Sequence, residues 1–158
     1  MVNDLSKTVL ASPVHFLAFG FGSGLSPKAP GTVGTLAAIP LYLLLAPLPL
    51  GWYLLAVLLV AVLGVWLCGE SSRRLGVHDH GGIVWDEFAG FLLTMTAAPQ
   101  GWWWIVLGFA LFRLFDIWKP WPVRIADRNV HGGLGIMLDD LLAGVYAWLV
   151  LQLLARFL

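Results

Sequence analysis

An all-α, polytopic membrane protein with about four to five transmembrane or re-entrant helices is the fold class this sequence predicts, and three observations predict it. Hydrophobic residues fill 59% of the 158 positions and charged residues only 11%, with a mean hydropathy of +0.85. A water-soluble chain of that balance would leave much apolar surface uncovered. Apolar runs of helical length recur, broken at prolines and glycines, and nearly all ionisable residues fall in alternate breaks. That is the pattern of a chain threading back and forth through a bilayer. The length suits a single membrane-embedded domain, residues 1–158.

The elements follow in order. A hydrocarbon core about 30 Å thick needs about 20 mostly apolar helical residues. Met1 to Lys7 leads into a run interrupted by Pro13, His15 and several glycines. No small-residue cleavage site follows it, so it is expected to be retained. The first span is predicted from about Val33 to Leu48, with Pro40 and Pro47 inside it, and the second from Trp52 to about Gly69, without a charge. A third begins near Ile83, holds Asp86 and Glu87 in its first turn and ends at Pro99; a fourth runs from about Gly101 to Phe115; a fifth runs from about Leu141 to the C-terminus. The third and fourth are short enough to form a re-entrant hairpin instead of crossing.

Loop charge sets the orientation. The turns Pro47–Gly51 and Pro99–Gly101 carry no charge, whereas Lys7, Lys28, Arg73, Arg74, Arg113, Lys119, Arg124 and Arg128 fall on one side and Arg156 alone on the other. The basic side is expected to be cytoplasmic. Trp102, Trp103 and Trp104 suit an aromatic belt at the far interface. Formal net charge is zero, so there is no basic footprint for nucleic acid. The single cysteine, Cys68, sits in an apolar run and reads as a packing residue.

Two acidic pairs, Asp86–Glu87 and Asp139–Asp140, each open an apolar helix and are followed one turn on by Gly90 and Gly144. Helix N-termini favour carboxylates through capping and the macrodipole, which explains one acid per helix better than two. Small residues one turn on would let the two helices approach until the pairs meet in a shared site. Neighbouring helical residues point about 100° apart, so one acid of each pair can face the cavity while the other braces it. All-oxygen ligands suit a hard cation, magnesium in particular. His78-Asp79-His80, flanked by glycine and unsupported by cysteine, reads as a loop bonding to backbone or substrate rather than a zinc site.

A basic constellation follows. Arg113 and Asp116, three apart, can pair on a helix; Pro120 and Pro122 then break it, leaving Lys119, Arg124 and Arg128 in a loop with Asp127 and His131. Such cations can hold a phosphate or simply attract anionic headgroups. Glycine-rich stretches at Gly20–Gly24, Pro30–Thr35 and Gly132–Gly135 can turn backbone N–H groups toward phosphate, though neither Walker nor Rossmann spacing is present.

Together these stretches resemble the bacterial phosphatidylglycerophosphatase A family. The resemblance is carried by Gly20-Phe21-Gly22-Ser23-Gly24-Leu25-Ser26-Pro27, Pro30 to Thr35, Gly76 to Gly81, Ile83 to Gly90, Phe112 to Pro122 and Asp127 to Gly144. It implies a magnesium-dependent, inner-membrane lipid phosphatase that converts phosphatidylglycerophosphate to phosphatidylglycerol in phospholipid biosynthesis. On that reading Asp86, Glu87, Asp139 and Asp140 would hold the metal, and Arg113, Lys119, Arg124 and Arg128 the substrate phosphate. Asp116 or Asp127 would orient water or attack phosphorus, and His131 would protonate the leaving oxygen.

The rival from another class is a small cation or proton transporter using intramembrane carboxylates. The acids cluster at one face and the first two spans are uncharged, which disfavours a relay. The signature Asp-Gly-x-x-Ala-Arg of lipid-alcohol transferases and the Ser-Gly-His motif of phosphatidic-acid phosphatases type 2 are both absent.

Overall fold

The structure, a computed structural model, describes residues 2–158. Among them there are eight α-helices, one short 3-10 helix (Ser23–Leu25) and no strand: α1 (Val2–Ala11), α2 (Pro13–Ala18), α3 (Pro30–Leu45), α4 (Leu50–Leu75), α5 (Trp85–Thr94), α6 (Trp102–Trp118), α7 (Val123–Asn129) and α8 (Gly132–Phe157). Two of them, α4 and α8, are long and apolar enough to cross a membrane, at 26 residues each. The outer face of α4 exposes Trp52, Leu54, Leu55, Leu58, Leu59, Val62, Leu63 and Trp66, an apolar band far beyond what water tolerates.

The third expected span holds a shorter helix than its apolar run suggests. Helix α5 has ten residues, about 15 Å of rise, and nearly every one of them is buried among α3, α4, α6 and α8. The carbonyls of its last turn and of the turn after it run out of helical N–H partners, and a polar group left unpaired away from water is costly. Side chains from other helices take them up. Tyr53 Oη donates to the Leu92 carbonyl at 2.5 Å, Trp148 Nε1 to that of Thr96 at 2.9 Å, and Gln152 Nε2 to those of Thr96 and Ala97.

The fifth element also differs from expectation. Helix α8 begins at Gly132, not near Leu141, so Asp139 and Asp140 lie in its third turn and do not open it. Glycine disfavours helix in isolation, but here the bare backbone of Gly133 lies directly against α4 at Val65 and Gly69, and that packing outweighs propensity. Arg124 and Arg128 sit on the short helix α7, not in a loop, because the chain turns at Pro122 and restarts.

Helices α5 and α8 meet where the sequence places Gly90 and Gly144. A Cβ on Gly144 would stand 2.7 Å from the Gly90 carbonyl oxygen, and one on Gly90 would stand 2.8 Å from that of Asp140. Only glycine allows this approach. Outside the core, α2 is tied to α4 by a buried hydrogen bond of 2.7 Å between His15 Nδ1 and Ser71 Oγ. Cys68 is buried and free, with its sulfur 3.9 Å from that of Met137.

Candidate active site

The start of α3, the end of α6, the start of α5 and the early part of α8 converge at the end of the bundle that carries the charged loops. Asp86 and Glu87 leave the first turn of α5, Asp140 leaves α8, and one oxygen from each of the three lies within 4.8 Å of the others. All three are buried. Asp86 Oδ1, Glu87 Oε2 and Asp140 Oδ2 have no hydrogen-bond partner. A buried, unpaired carboxylate oxygen is strongly unfavourable, and a cluster of them fits a hard cation bound through oxygen.

Asp139 does not join this triad. One of its oxygens accepts from Lys119 Nζ at 2.9 Å and the other is buried without a partner. The adjacent acids of α8 therefore divide, Asp140 toward the triad and Asp139 toward the lysine, while on α5 both acids belong to the cluster. Lys119 sits at the C-terminal cap of α6 in a left-handed conformation (φ 52°) and also donates to Asp127 at 2.9 Å. Burial opposes its charge, but the bonds to Asp127 and Asp139 outweigh that and hold its pKa above the ordinary lysine range. It stays an ammonium.

Arg113 pairs with Asp116 on α6 and approaches Glu87 at 3.8 Å, leaving its buried Nε unpartnered. Asp116 is also an electrostatic neighbour of Glu87 and Asp140. Arg124 and Arg128 are exposed and line a separate cavity with Lys119 and two tryptophans. His131 is exposed at the N-cap of α8, its ring edge-on to His78 with centroids 5.8 Å apart. In the His78–His80 loop, His78 Nε2 accepts from the Gly132 N–H and His80 Nδ1 from that of Gly82, the backbone role its sequence suggests.

One contributor was not among the expected residues. Gly31, in the first turn of α3, lies so close that a Cβ there would stand 2.7 Å from Glu87 Oε1 and 3.3 Å from both terminal nitrogens of Arg113. The helix starts at Pro30 with no acid in its first turn and no side-chain cap, so its positive end abuts the acidic centre. The glycine-rich Pro30–Thr35 stretch was the available signal, but sequence spacing does not say which helix end it would meet.

Fold and site define an all-helical bundle, with two helices long and apolar enough to cross a membrane and a buried acidic centre braced by paired cations at one end. The family profile of phosphatidylglycerophosphatase A matches residues 16–155. A protein of Escherichia coli named phosphatidylglycerophosphatase A is 55% identical over 141 residues, covering 89% of this chain and 82% of that one. One of the same name from Haemophilus influenzae is 49% identical over 150 residues, covering 94% and 92%. A Bacteroides thetaiotaomicron protein provisionally named a phosphatidylinositol-3-phosphatase is 42% identical over 140 residues, covering 84% and 87%. No solved structure matches the chain. The chain belongs to the phosphatidylglycerophosphatase A family and is an enzyme of the phosphatase class.

Proposed function

We propose that this chain hydrolyses phosphatidylglycerophosphate to phosphatidylglycerol and inorganic phosphate, as a magnesium-dependent step of phospholipid biosynthesis in the bacterial inner membrane. The observation that carries this reading is the triad Asp86, Glu87 and Asp140, with its unpartnered oxygens, beside Arg113 and Lys119. The names of the two phosphatidylglycerophosphatase A relatives support the substrate. Helices α3, α4, α6 and α8 cross the bilayer, the short α5 with the turn after it returns the chain toward the far side between α4 and α6, and the site faces the cytoplasm, where the positive-inside rule puts the charged loops.

Asp86, Glu87 and Asp140 would hold the magnesium, with the free oxygen of Asp139 next in line. When bound, the ion supplies charge neutralisation at the phosphoryl oxygens. Arg113 offers a planar fork and Lys119 a point charge to the remaining phosphate charge, and Asp116, Asp127 and Asp139 hold those cations in place. Positioning and electrostatics then carry most of the rate. Water attacks phosphorus, the bond to the glycerol oxygen breaks, and that oxygen takes up a proton. Asp116, beside Glu87 and Asp140, orients the water. Asp116 and Asp127 are each committed to a cation, which weakens either as a nucleophile and favours direct water attack. His131, at the head of the helix that carries Asp139 and Asp140, donates the proton.

Phosphate release from phosphatidylglycerophosphate by the purified protein in detergent, with and without magnesium, tests this. Parental release by well-folded Asp86→Asn, Asp140→Asn and Lys119→Ala variants would falsify the site. Absence of release by the parent, with ion conduction in vesicles, would replace the reading with transport.

A further inference from the structure

Two arginines stand outside the reaction assigned above. Arg124 and Arg128, four apart on α7, share one face of that helix, and like charges at this spacing repel each other. Among the described residues neither joins an ion pair, and Asp127 between them is committed to Lys119. Both line a cavity of about 590 Å³ together with Trp118, Lys119, Trp121 and Ile125, a size within the roughly 300–1,000 Å³ of small-molecule sites.

The apolar wall is held in place. Phe115 stacks on Trp118 and on Tyr146, with ring centroids 6.0 and 5.5 Å away, and Tyr146 Oη donates to the Trp121 carbonyl at 2.6 Å. Yet Trp118 and Trp121 remain 58% and 74% exposed. Exposed indoles at the end of an apolar helix, next to guanidinium groups, match the headgroup level of a bilayer, where rings meet glycerol and forks meet phosphate. Asp86, Glu87 and Asp140 do not line the cavity. Lys119 stands between the two places, its ammonium engaged by Asp127 and Asp139.

We propose that this cavity binds the headgroup of an anionic glycerophospholipid of the bilayer, at a site separate from the carboxylate centre. Arg124 and Arg128 pair with the phosphate diester, and Trp118 and Trp121 bed the glycerol and upper acyl carbons. The site rests on the membrane crossing proposed above but not on the reaction, so it is tested by lipid retention and not by turnover.

The experiment is native mass spectrometry of the full chain released from micelles containing equal amounts of phosphatidylserine, an anionic lipid that is neither substrate nor product of the reaction above, and phosphatidylcholine. The parent is expected to retain phosphatidylserine in preference, and Arg124→Gln/Arg128→Gln to retain it about tenfold less. Both arginines are exposed, so the double variant disturbs no buried contact. Lys28→Gln, which removes an exposed cation elsewhere, and Asp140→Asn are expected to retain it as the parent does. Equal retention of the two lipids by the parent, or parental retention by the double variant, overturns the proposal. Loss in Lys28→Gln would reduce the effect to bulk charge, and loss in Asp140→Asn would merge the cavity with the catalytic centre; either overturns it as well.

Discussion

At position 31 a single hydrogen in place of a methyl group keeps two site residues where they are. A Cβ there would meet Glu87 and Arg113 together, and neither can retreat freely, since Arg113 is also tied to Asp116. Gly31→Ala is expected to lower phosphate release at least about tenfold, roughly 1.4 kcal/mol of barrier, while far-ultraviolet circular dichroism stays unchanged. The split between Asp139 and Asp140 gives a second expectation. Asp140→Asn should raise the magnesium concentration needed for activity, whereas Asp139→Asn, acting through Lys119, should mainly raise KM for the lipid. Titrating metal and substrate for each variant checks this. At His15, burial first and Arg74 second hold the imidazole pKa below its usual value. The unfolded chain takes up the proton more readily, so His15 contributes stability above about pH 6.5 that is lost as pH falls through the folded pKa. The stability gap between the parent and His15→Asn is therefore expected to narrow from about pH 7 to about pH 5, read by thermal unfolding in detergent. Residue chemistry was largely legible beforehand: the acidic pairs, the Arg113–Asp116 pairing and the packing role of Cys68 follow from residue type and local spacing. The part played by Gly31 does not, because it depends on a contact between helices far apart in sequence.

Helix α5 shows how an element can be read correctly in composition and too long in extent. Its apolar residues look like a span, but they are apolar because four helices surround them, not because lipid does. Hydropathy alone does not separate these two environments. The first turn was legible, since Asp86 and Glu87 do sit there; the early stop was not, since the caps for its carbonyls come from Tyr53, Trp148 and Gln152, distant in the chain. Those caps make a prediction. Tyr53→Phe removes the nearer of two donors to the Leu92 carbonyl, leaving Thr96 Oγ1 at 3.4 Å, and is expected to cost about 1–3 kcal/mol, seen as a lower melting temperature in detergent. An unchanged melting point would mean that the carbonyl finds another donor. The early start of α8 was hidden for the opposite reason: Gly132-Gly133 reads as a loop by propensity, and only the close contact with α4 makes it helical.

For the whole molecule, the one-sided distribution of charge was visible in the loops, and the structure turns it into a convergence of helix ends on one acidic centre. Cysteines introduced into a Cys68→Ser background test which side that is. Gly51→Cys, exposed at the start of α4 where a Cβ meets nothing within 4 Å, is expected to react with an impermeant reagent added outside intact inner-membrane vesicles of inverted orientation only after they are opened. Val77→Cys, on the exposed loop before α5, should react at once; the reverse pattern would invert the proposed topology. The buried α5 carries a further consequence, one of timing. Ribosomes deliver the chain from the N-terminus, and under the proposed topology a ten-residue segment with two leading acids gives the insertion machinery no independent span to release into lipid. Its caps at Trp148 and Gln152 and its glycine partner at Gly144 all emerge later, on α8. Asp86 and Glu87 stay without Asp140 until that helix arrives, so the acidic centre can close only after α8 has been made.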